Sequence, residues 1–190
     1  MKTVKFLFVL LFILSTPLQL FGRVTESAEN LLRIIHKVNR HWQENNSPQV
    51  RSFWDNAAYH TGNMEVYELT GNPPYLKYST DWAEYNHWKG AASDNKAEWK
   101  YGYGETPQYV LFGDWQCCFQ TYADLYGIRG DDRRIARARE VLEYQMGTDK
   151  NDYWWWADGL YMVMPVMTKL YRITKNPLYL EKLYEYFSYA

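Results

Sequence analysis

Apolar residues recur every three to four positions along most of this chain, which is the spacing of one buried face of an α-helix. The first such stripe lies in segment 27–42. Further segments with the same pattern follow at 54–69, 75–88, 114–126, 133–146, 158–174 and 179–187. Since none of them shows the strict alternation typical of a half-buried strand, the pattern predicts an all-α protein.

A repeat underlies these segments. Residues 67–75 match residues 171–179 position for position, and residues 126–135 form a looser copy with one extra residue. Each unit combines an apolar helix, a tyrosine, a tight turn and a more polar helix. Repeats built from helix pairs stack as hairpins, so we expect an inner layer of apolar helices and an outer layer of polar ones.

An aspartate lies near the start of each predicted inner helix, twelve or thirteen residues before the repeated tyrosine. If the hairpins curl into a ring, the starts of the inner helices converge at one end. We therefore expect these aspartates to meet at one rim, beside the tryptophans that flank them. The aspartates are Asp55, Asp114 and Asp158, and the tryptophans are Trp54, Trp115 and Trp156.

Two polar regions interrupt the apolar pattern. Segment 89–108 is a long loop that contains Trp99, Tyr101 and Tyr103, and a long loop rich in aromatic residues is typically functional. Segment 133–146 is rich in charged residues, and it is predicted to be a solvated outer face with ion pairs along the helix. Those charged residues are Arg133, Arg134, Arg137, Arg139, Glu140 and Glu143.

Composition restricts the function further. The formal net charge is −1, so electrostatics favours neither nucleic acid nor an anionic membrane surface as a partner. Aromatic residues make up 18% of the 190 residues, with nine Trp and eighteen Tyr, which fits a protein that binds glycans. The adjacent Cys117 and Cys118 cannot form an unstrained disulfide. The four histidines are scattered, so no metal site is predicted.

The first 22 residues resemble a secretory signal. Lys2 and Lys5 precede the apolar stretch 6–14, which is too short for a comfortable membrane span. We expect residues 1–22 to be removed and residues 23–190 to form the mature domain. That domain would be periplasmic or secreted, with no membrane attachment.

The candidate chemistry centres on Asp158, which follows the consecutive tryptophans 154–156. Indole rings offer flat apolar faces that suit the C–H side of a sugar. A carboxyl desolvated by such rings has a raised pKa and can hold a proton near neutral pH, so we predict that Asp158 is this carboxyl. The alternative is that aspartates at helix starts are only N-caps, and this interpretation is favoured for Asp55.

Residues 156–162, Trp-Ala-Asp-Gly-Leu-Tyr-Met, resemble the signature of glycoside hydrolase family 105, the unsaturated rhamnogalacturonyl hydrolases. They are also similar to sister family 88, the unsaturated glucuronyl hydrolases. Residues 114–116, Asp-Trp-Gln, resemble the earlier aspartate motif of the family, and the turn at 70–75 resembles its hairpin turn. The resemblance covers most of the mature chain but only the N-terminal half of the family domain.

The resemblance implies an (α/α)6 barrel, of which this chain would form an incomplete half. It implies hydrolysis of a 4,5-unsaturated uronic acid at the non-reducing end of lyase-generated oligosaccharides from pectin or glycosaminoglycans, with no cofactor. Asp158 matches the principal acid/base and Asp114 the second aspartate. Trp156 matches a ring that stacks on substrate, and we expect Trp54 and Tyr161 to bind substrate as well.

Two other interpretations remain open. The chain could be a truncated, catalytically inactive half-barrel that binds glycan or pairs with another chain. It could also be a different toroidal enzyme, such as a lyase or an inverting glycosidase, which needs two carboxyls roughly 6.5–9.5 Å apart. Because an unclosed half-ring exposes an apolar flank, we expect it to self-associate.

Overall fold

The computed structural model describes residues 27–190, which fall into two units, 27–46 and 47–190. The first unit consists of helix α1, residues 27–45, where a helix was predicted. The proposed secretory signal at 1–22 lies outside the described residues, so export stays a prediction. Within 27–190, no helix has the length and apolar character needed to cross a membrane.

The regular secondary structure of the second unit, residues 47–190, is entirely helical. Its α-helices are α2 (Trp54–Thr70), α3 (Pro73–Tyr85), α4 (Gly113–Gln116), α5 (Cys118–Ile128), α6 (Arg133–Met146), α7 (Ala157–Thr174) and α8 (Leu178–Tyr189). A single 3-10 turn, Lys96–Glu98, lies in the long loop between α3 and α4. The predicted helix 114–126 corresponds to α4 and α5, which are joined by Cys117; this residue keeps helical backbone angles, φ −52° and ψ −38°, and its amide donates to the Gly113 carbonyl at 2.9 Å.

Consecutive helices pack as the predicted hairpins. Helix α2 contacts α3, α5 contacts α6, and α7 contacts α8. Helix α5 also lies against both α2 and α7, so these three apolar helices form one layer. The core includes fully buried rings such as Trp82, Tyr122 and Trp154. The expected division into an inner layer and an outer layer is therefore present in this unit.

The repeated turns have the same backbone conformation. The C-cap residue of α2 is Gly71, with φ 64°, and that of α7 is Lys175, with φ 60°. Both residues adopt the left-handed backbone conformation. Each of these residues donates its amide hydrogen to the repeated tyrosine carbonyl, Tyr67 at 2.7 Å and Tyr171 at 2.8 Å. Only Gly71 adopts a positive φ at low steric cost, so Lys175 shows that the turn itself imposes this geometry.

All three repeated aspartates occupy the second position of their helix. The residues at the N-cap are instead Phe53, Phe112 and Trp156, none of which makes a side-chain cap hydrogen bond. The N-cap interpretation is therefore wrong for all three aspartates, Asp55 included. An aspartate one residue further in is still close to the positive end of the helix dipole, but its side chain is available to face outward from the layer.

The outer helix α6 is less solvated than its sequence predicts. Arg134 and Arg137 are buried, so the expectation of a solvated face is wrong for these two residues. The Arg134 guanidinium donates to the Leu125 carbonyl at 2.7 Å and lies over the Trp88 ring. The Arg137 guanidinium donates to the carbonyl of Ala91 at 3.3 Å. Both arginines thus fill peptide acceptors, and Arg137 fixes the start of the long loop onto α6.

Pro165 lies inside α7 and removes one helical hydrogen-bond donor. The carbonyl that loses its partner belongs to Tyr161, four residues earlier. The buried Gln120 side chain of α5 replaces the missing donor, with its Nε2 at 2.9 Å from the Tyr161 oxygen and 3.1 Å from the Met162 oxygen. This contact joins α5 to the first half of α7, which carries Asp158.

We predict that Gln120→Leu lowers the free energy of unfolding by about 1–3 kcal/mol, because the part-buried carbonyl of Tyr161 and the buried carbonyl of Met162 lose a donor. Pro165→Ala restores an amide hydrogen for Tyr161, so the same change should cost less in that background. Urea denaturation of the four proteins of this cycle measures the coupling. The exposed Gln49→Leu is the matched control. Equal costs of Gln120→Leu in both backgrounds would contradict this account of the proline.

Helix α8 exposes several aromatic side chains: Tyr184, Phe187 and Tyr189. An exposed apolar face of this kind agrees with the expected tendency to self-associate, which stays a prediction.

Candidate active site

A cavity of about 520 Å³ opens at the end of the layer where α2, α4 and α7 begin. Its wall is mostly aromatic and contains two carboxyl groups. The lining residues are Trp54, Ala58, Tyr103, Phe112, Asp114, Cys117, Trp155, Trp156, Asp158, Tyr161 and Met162. All five residues that were predicted to form the site line this cavity: Asp158, Asp114, Trp54, Trp156 and Tyr161.

Asp114 is the buried carboxyl of this cavity, with 6% of its surface exposed. Burial, together with smaller contributions from the negative charges of Asp158, Glu105 and Asp55, raises the pKa of Asp114 from 3.8 to about 6. Near neutral pH this carboxyl therefore holds a proton for part of the time. The influence of Asp158 and Asp55 also shows that the three repeated aspartates lie near one another, as predicted.

Asp158 has a different environment, because its side chain is exposed to solvent at the cavity. The prediction that consecutive tryptophans bury Asp158 is wrong. Trp154 points into the core, where it packs edge-on against Tyr186, and Trp155 is half exposed. Successive side chains in this short loop point in different directions, so the three indoles cannot form one wall around the carboxyl. The group with the burial expected of Asp158 is Asp114.

The Trp156 ring packs against the start of the helix that carries Asp114. Its ring contacts Phe112 at a centroid distance of 4.9 Å and Trp155 at 4.8 Å. A Cβ atom at Gly113 would lie only 3.0 Å from the Trp156 ring, so the glycine allows the indole to approach the start of α4 closely. The ring therefore lies beside the residue that precedes Asp114.

Trp115 is not part of the cavity wall, although it follows Asp114 directly. Its ring is buried edge-on against Phe53 at 4.7 Å, and its Nε1 donates to the Gly104 carbonyl at 3.2 Å. The expectation that Trp115 lies at the rim beside Asp114 is therefore wrong. Its role is to attach the long loop to the helix layer.

Asp55 lies outside the cavity wall and forms part of a charged cluster at its edge. Arg51 bridges Asp55, at 3.4 Å, and Glu105 of the long loop. The Arg51 guanidinium also lies over the Phe53 ring at 4.5 Å. Hydrogen bonding to Arg51 lowers the pKa of Glu105, so that carboxyl stays ionised near Asp114. The described part of the chain contains no cluster of three His, Cys, Asp or Glu side chains arranged to hold a metal ion.

Comparison with known proteins decides the family. A family model described as Glycosyl Hydrolase Family 88 matches residues 28–190. The chain belongs to glycosyl hydrolase family 88. A solved family 88 structure from Bacteroides vulgatus is 70% identical, with a TM-score of 0.84 over 84% of this chain and 46% of that one. This agrees with the wider group that the sequence motifs indicate, whereas the narrower family 105 type is not decided by these matches.

Two further relatives extend the comparison. A solved structure described as a polysaccharide lyase is also 70% identical, with a TM-score of 0.84 over 86% of this chain and 46% of that one. The unsaturated 3S-rhamnoglycuronyl hydrolase of Formosa agariphila is 24% identical over 142 residues, or 70% of this chain and 35% of the relative. The chain thus spans about half the length of these two solved structures.

The family 88 likeness confirms the predicted fold class. The three hairpins, which helices α2 to α8 of this chain form, are part of an (α/α)6 barrel. The family assignment also makes this chain a relative of glycosidases.

Several lining residues of this family 88 chain were not predicted from sequence. Tyr103 lies in the long loop, where the aromatic composition was a signal of function but did not indicate which ring faces the cavity. Phe112 and Cys117 lie on either side of Asp114 in the sequence and carried no separate signal. Burial raises the pKa of Cys117 to about 12, so this thiol stays protonated and acts as an apolar wall.

Proposed function

We propose that this chain provides the catalytic carboxyls of a hydrolase that releases 4,5-unsaturated uronic acid from the non-reducing end of lyase-generated oligosaccharides. The observation that carries the proposal is the pair of unlike carboxyls in one aromatic cavity, with Asp114 buried and Asp158 exposed. Paired carboxyls in different environments are typical of sites that divide proton transfer between two groups. The aromatic wall suits the apolar face of a sugar ring.

In the proposed reaction, Asp158 delivers a proton to C4 of the unsaturated sugar. Water adds at C5 and returns a proton to Asp158, so the acid is regenerated. The hemiketal formed at C5 then opens, and the hemiacetal exposed at C1 expels the next sugar. Asp158 is assigned this role because it occupies the position that resembles the principal acid/base of the family motif and because it lines the cavity, where water can reach it.

Asp114 has a supporting role in this proposal. A uronate substrate is an anion, and two ionised carboxylates would repel it. Because the pKa of Asp114 is raised to about 6, this group is partly neutral near pH 6. A neutral carboxyl reduces the repulsion, and its hydroxyl can donate a hydrogen bond to the substrate.

The substrate class is proposed from the relatives. The sequence motifs resemble the rhamnogalacturonyl type, and the Formosa agariphila relative is named for unsaturated rhamnoglycuronyl units. We therefore propose a rhamnose-linked unsaturated uronate as the first substrate to test. Unsaturated disaccharides from other pectins and from glycosaminoglycans complete the panel. The export expected from residues 1–22 would place the chain where such oligosaccharides form.

The test follows the near-ultraviolet absorbance of the unsaturated sugar, since hydration removes the double bond. The chain is incubated with each unsaturated disaccharide, and loss of absorbance with release of the second sugar supports the proposal. One of the similar structures is described as a polysaccharide lyase, and a lyase would produce the opposite signal, a gain of absorbance on a saturated polymer.

Two other outcomes would contradict the proposed activity. Binding of the disaccharides without any loss of absorbance would favour the inactive glycan-binding half-barrel. New reducing ends from a saturated glycan would favour an inverting glycosidase.

A further inference from the structure

The segment Tyr103–Gly104–Glu105 forms a fixed wall at the mouth of the cavity, although it lies in the long loop between α3 and α4. Three contacts hold it. The Trp115 indole donates to the Gly104 carbonyl at 3.2 Å, and Arg51 pairs with Glu105. A Cβ atom at Gly104 would lie about 2.1 Å from the Tyr109 ring, so this ring packs directly against the loop backbone.

These contacts direct an aromatic ring outward. Tyr103 lines the cavity, yet 68% of its surface is exposed, which is the largest exposure among the exposed rings of the wall. Its ring meets Phe112 edge-on at 5.8 Å, and its hydroxyl lies 3.4 Å from a Glu105 oxygen. A large exposed ring is costly to hold in one place, because ordering a side chain loses rotamer entropy. A ring that is already held in place loses less entropy when a ligand binds, so Tyr103 is suited to contact a ligand.

The exposed fractions of the lining side chains indicate which part of a ligand Tyr103 would contact. Phe112 and Asp114 lie at the buried end of the cavity, with 2% and 6% of their surfaces exposed, whereas Tyr103 lies at the open end. The terminal sugar of an oligosaccharide would enter the cavity first and occupy its buried end. The next sugar along the chain would then lie toward the mouth of the cavity. That sugar is the one that the mouth of the cavity can contact.

We propose that Tyr103, held by the contacts of Gly104 and Glu105, is the ring against which the second, released sugar packs, and that it determines which oligosaccharides are accepted. The proposal rests on the proposed function, because it assumes that the unsaturated sugar occupies the buried end. Glu105 and Arg51 are positioning residues that act through the loop.

The experiment measures binding in the Asp158→Asn background, so that turnover does not interfere. Calorimetry gives the Kd of the rhamnose-linked unsaturated disaccharide and of the methyl glycoside of the same unsaturated uronate. We expect Tyr103→Ala to weaken disaccharide binding about tenfold, the loss of one ring contact, and to change methyl glycoside binding by less than about twofold. Tyr103→Phe keeps the ring and should bind the disaccharide within about twofold of the parent.

Two controls separate ligand contact from general damage. Tyr85→Ala removes another exposed tyrosine, the last residue of α3, which is not among the residues that line the cavity, and it should change neither Kd. Glu105→Gln weakens the hold on the loop, so it should weaken disaccharide binding by a smaller factor and leave the methyl glycoside unchanged. Thermal unfolding checks that each variant is folded, and Tyr103→Leu serves if the alanine variant is not.

Equal losses for both ligands, no loss for either, or no binding of the disaccharide to the parent would overturn the role of Tyr103. Absorbance loss by the chain with Asp158 intact tests the proposed function separately. A chain without turnover that still shows the ligand-dependent effect of Tyr103→Ala would support the subsite and contradict the hydrolase.

Discussion

Asp158→Asn is expected to lower kcat for an unsaturated disaccharide by about 10²–10⁴-fold, the usual contribution of one acid/base group. Asparagine has nearly the same shape as aspartate but cannot exchange a proton with C4 or with water. Since Asp158 is exposed at the cavity wall, the change should not disturb the core. The measurement is the initial rate of absorbance loss, with the Kd from calorimetry showing that the substrate still binds.

The chain supplies its own matched control in Asp55. Asp55 and Asp158 both occupy the second position of a helix after an aromatic N-cap, but only Asp158 lines the cavity. Asp55→Asn should therefore retain kcat within a few-fold. If Asp55→Asn and Asp158→Asn reduced the rate equally, the effect would come from the helix starts, and Asp158 would lose its assigned role.

Asp114→Asn is expected to stabilise the protein at neutral pH and to remove one pH dependence of the rate. The pKa of Asp114 is about 6 in the folded chain and 3.8 for the unperturbed group, so folding makes proton binding tighter. Below pH 3.8 the carboxyl is protonated in both states and costs nothing. As the pH rises from 3.8 through 6, ionisation costs the folded state up to about 3 kcal/mol, and the cost then stays constant.

Urea denaturation between pH 4 and pH 8 measures this difference. The gain in stability from Asp114→Asn should be near zero at pH 4 and reach about 1–3 kcal/mol by pH 7.5. The control is Asp81→Asn, which changes an exposed carboxylate paired with Lys77 on α3 and should change the stability by less than about 1 kcal/mol. A loss of stability at pH 7.5 would indicate that the ionised carboxylate is held by favourable contacts, contrary to the pKa that its burial implies.

The pH dependence of kcat/KM should also reflect the ionisation of Asp114. If a neutral Asp114 assists substrate binding, kcat/KM of the parent falls as the pH rises through about 6, and Asp114→Asn removes this fall because asparagine is neutral at every pH.

Local sequence determined the helices and their order, because the apolar period of a helix is a local property. The repeat at 67–75 and 171–179 identified two turns that share a left-handed residue, even though one of them carries Lys175 in place of glycine. The apolar pattern also continues across Cys117, in agreement with the helical backbone angles of this residue between α4 and α5. Burial of Arg134 and Arg137 was missed, because their partners are carbonyls of other segments.

For the site, the sequence alone determined which residues are candidates: three aspartates at equivalent helix positions, with tryptophans beside them. The tertiary structure decided what each one experiences. Asp114 is buried and Asp158 is exposed, although the tryptophan run adjoins Asp158. Likewise, the structure alone selected Tyr103 from the aromatic loop. The physical reason is that solvation and charge at a carboxyl depend on which segments fold over it, and those segments are distant in the sequence.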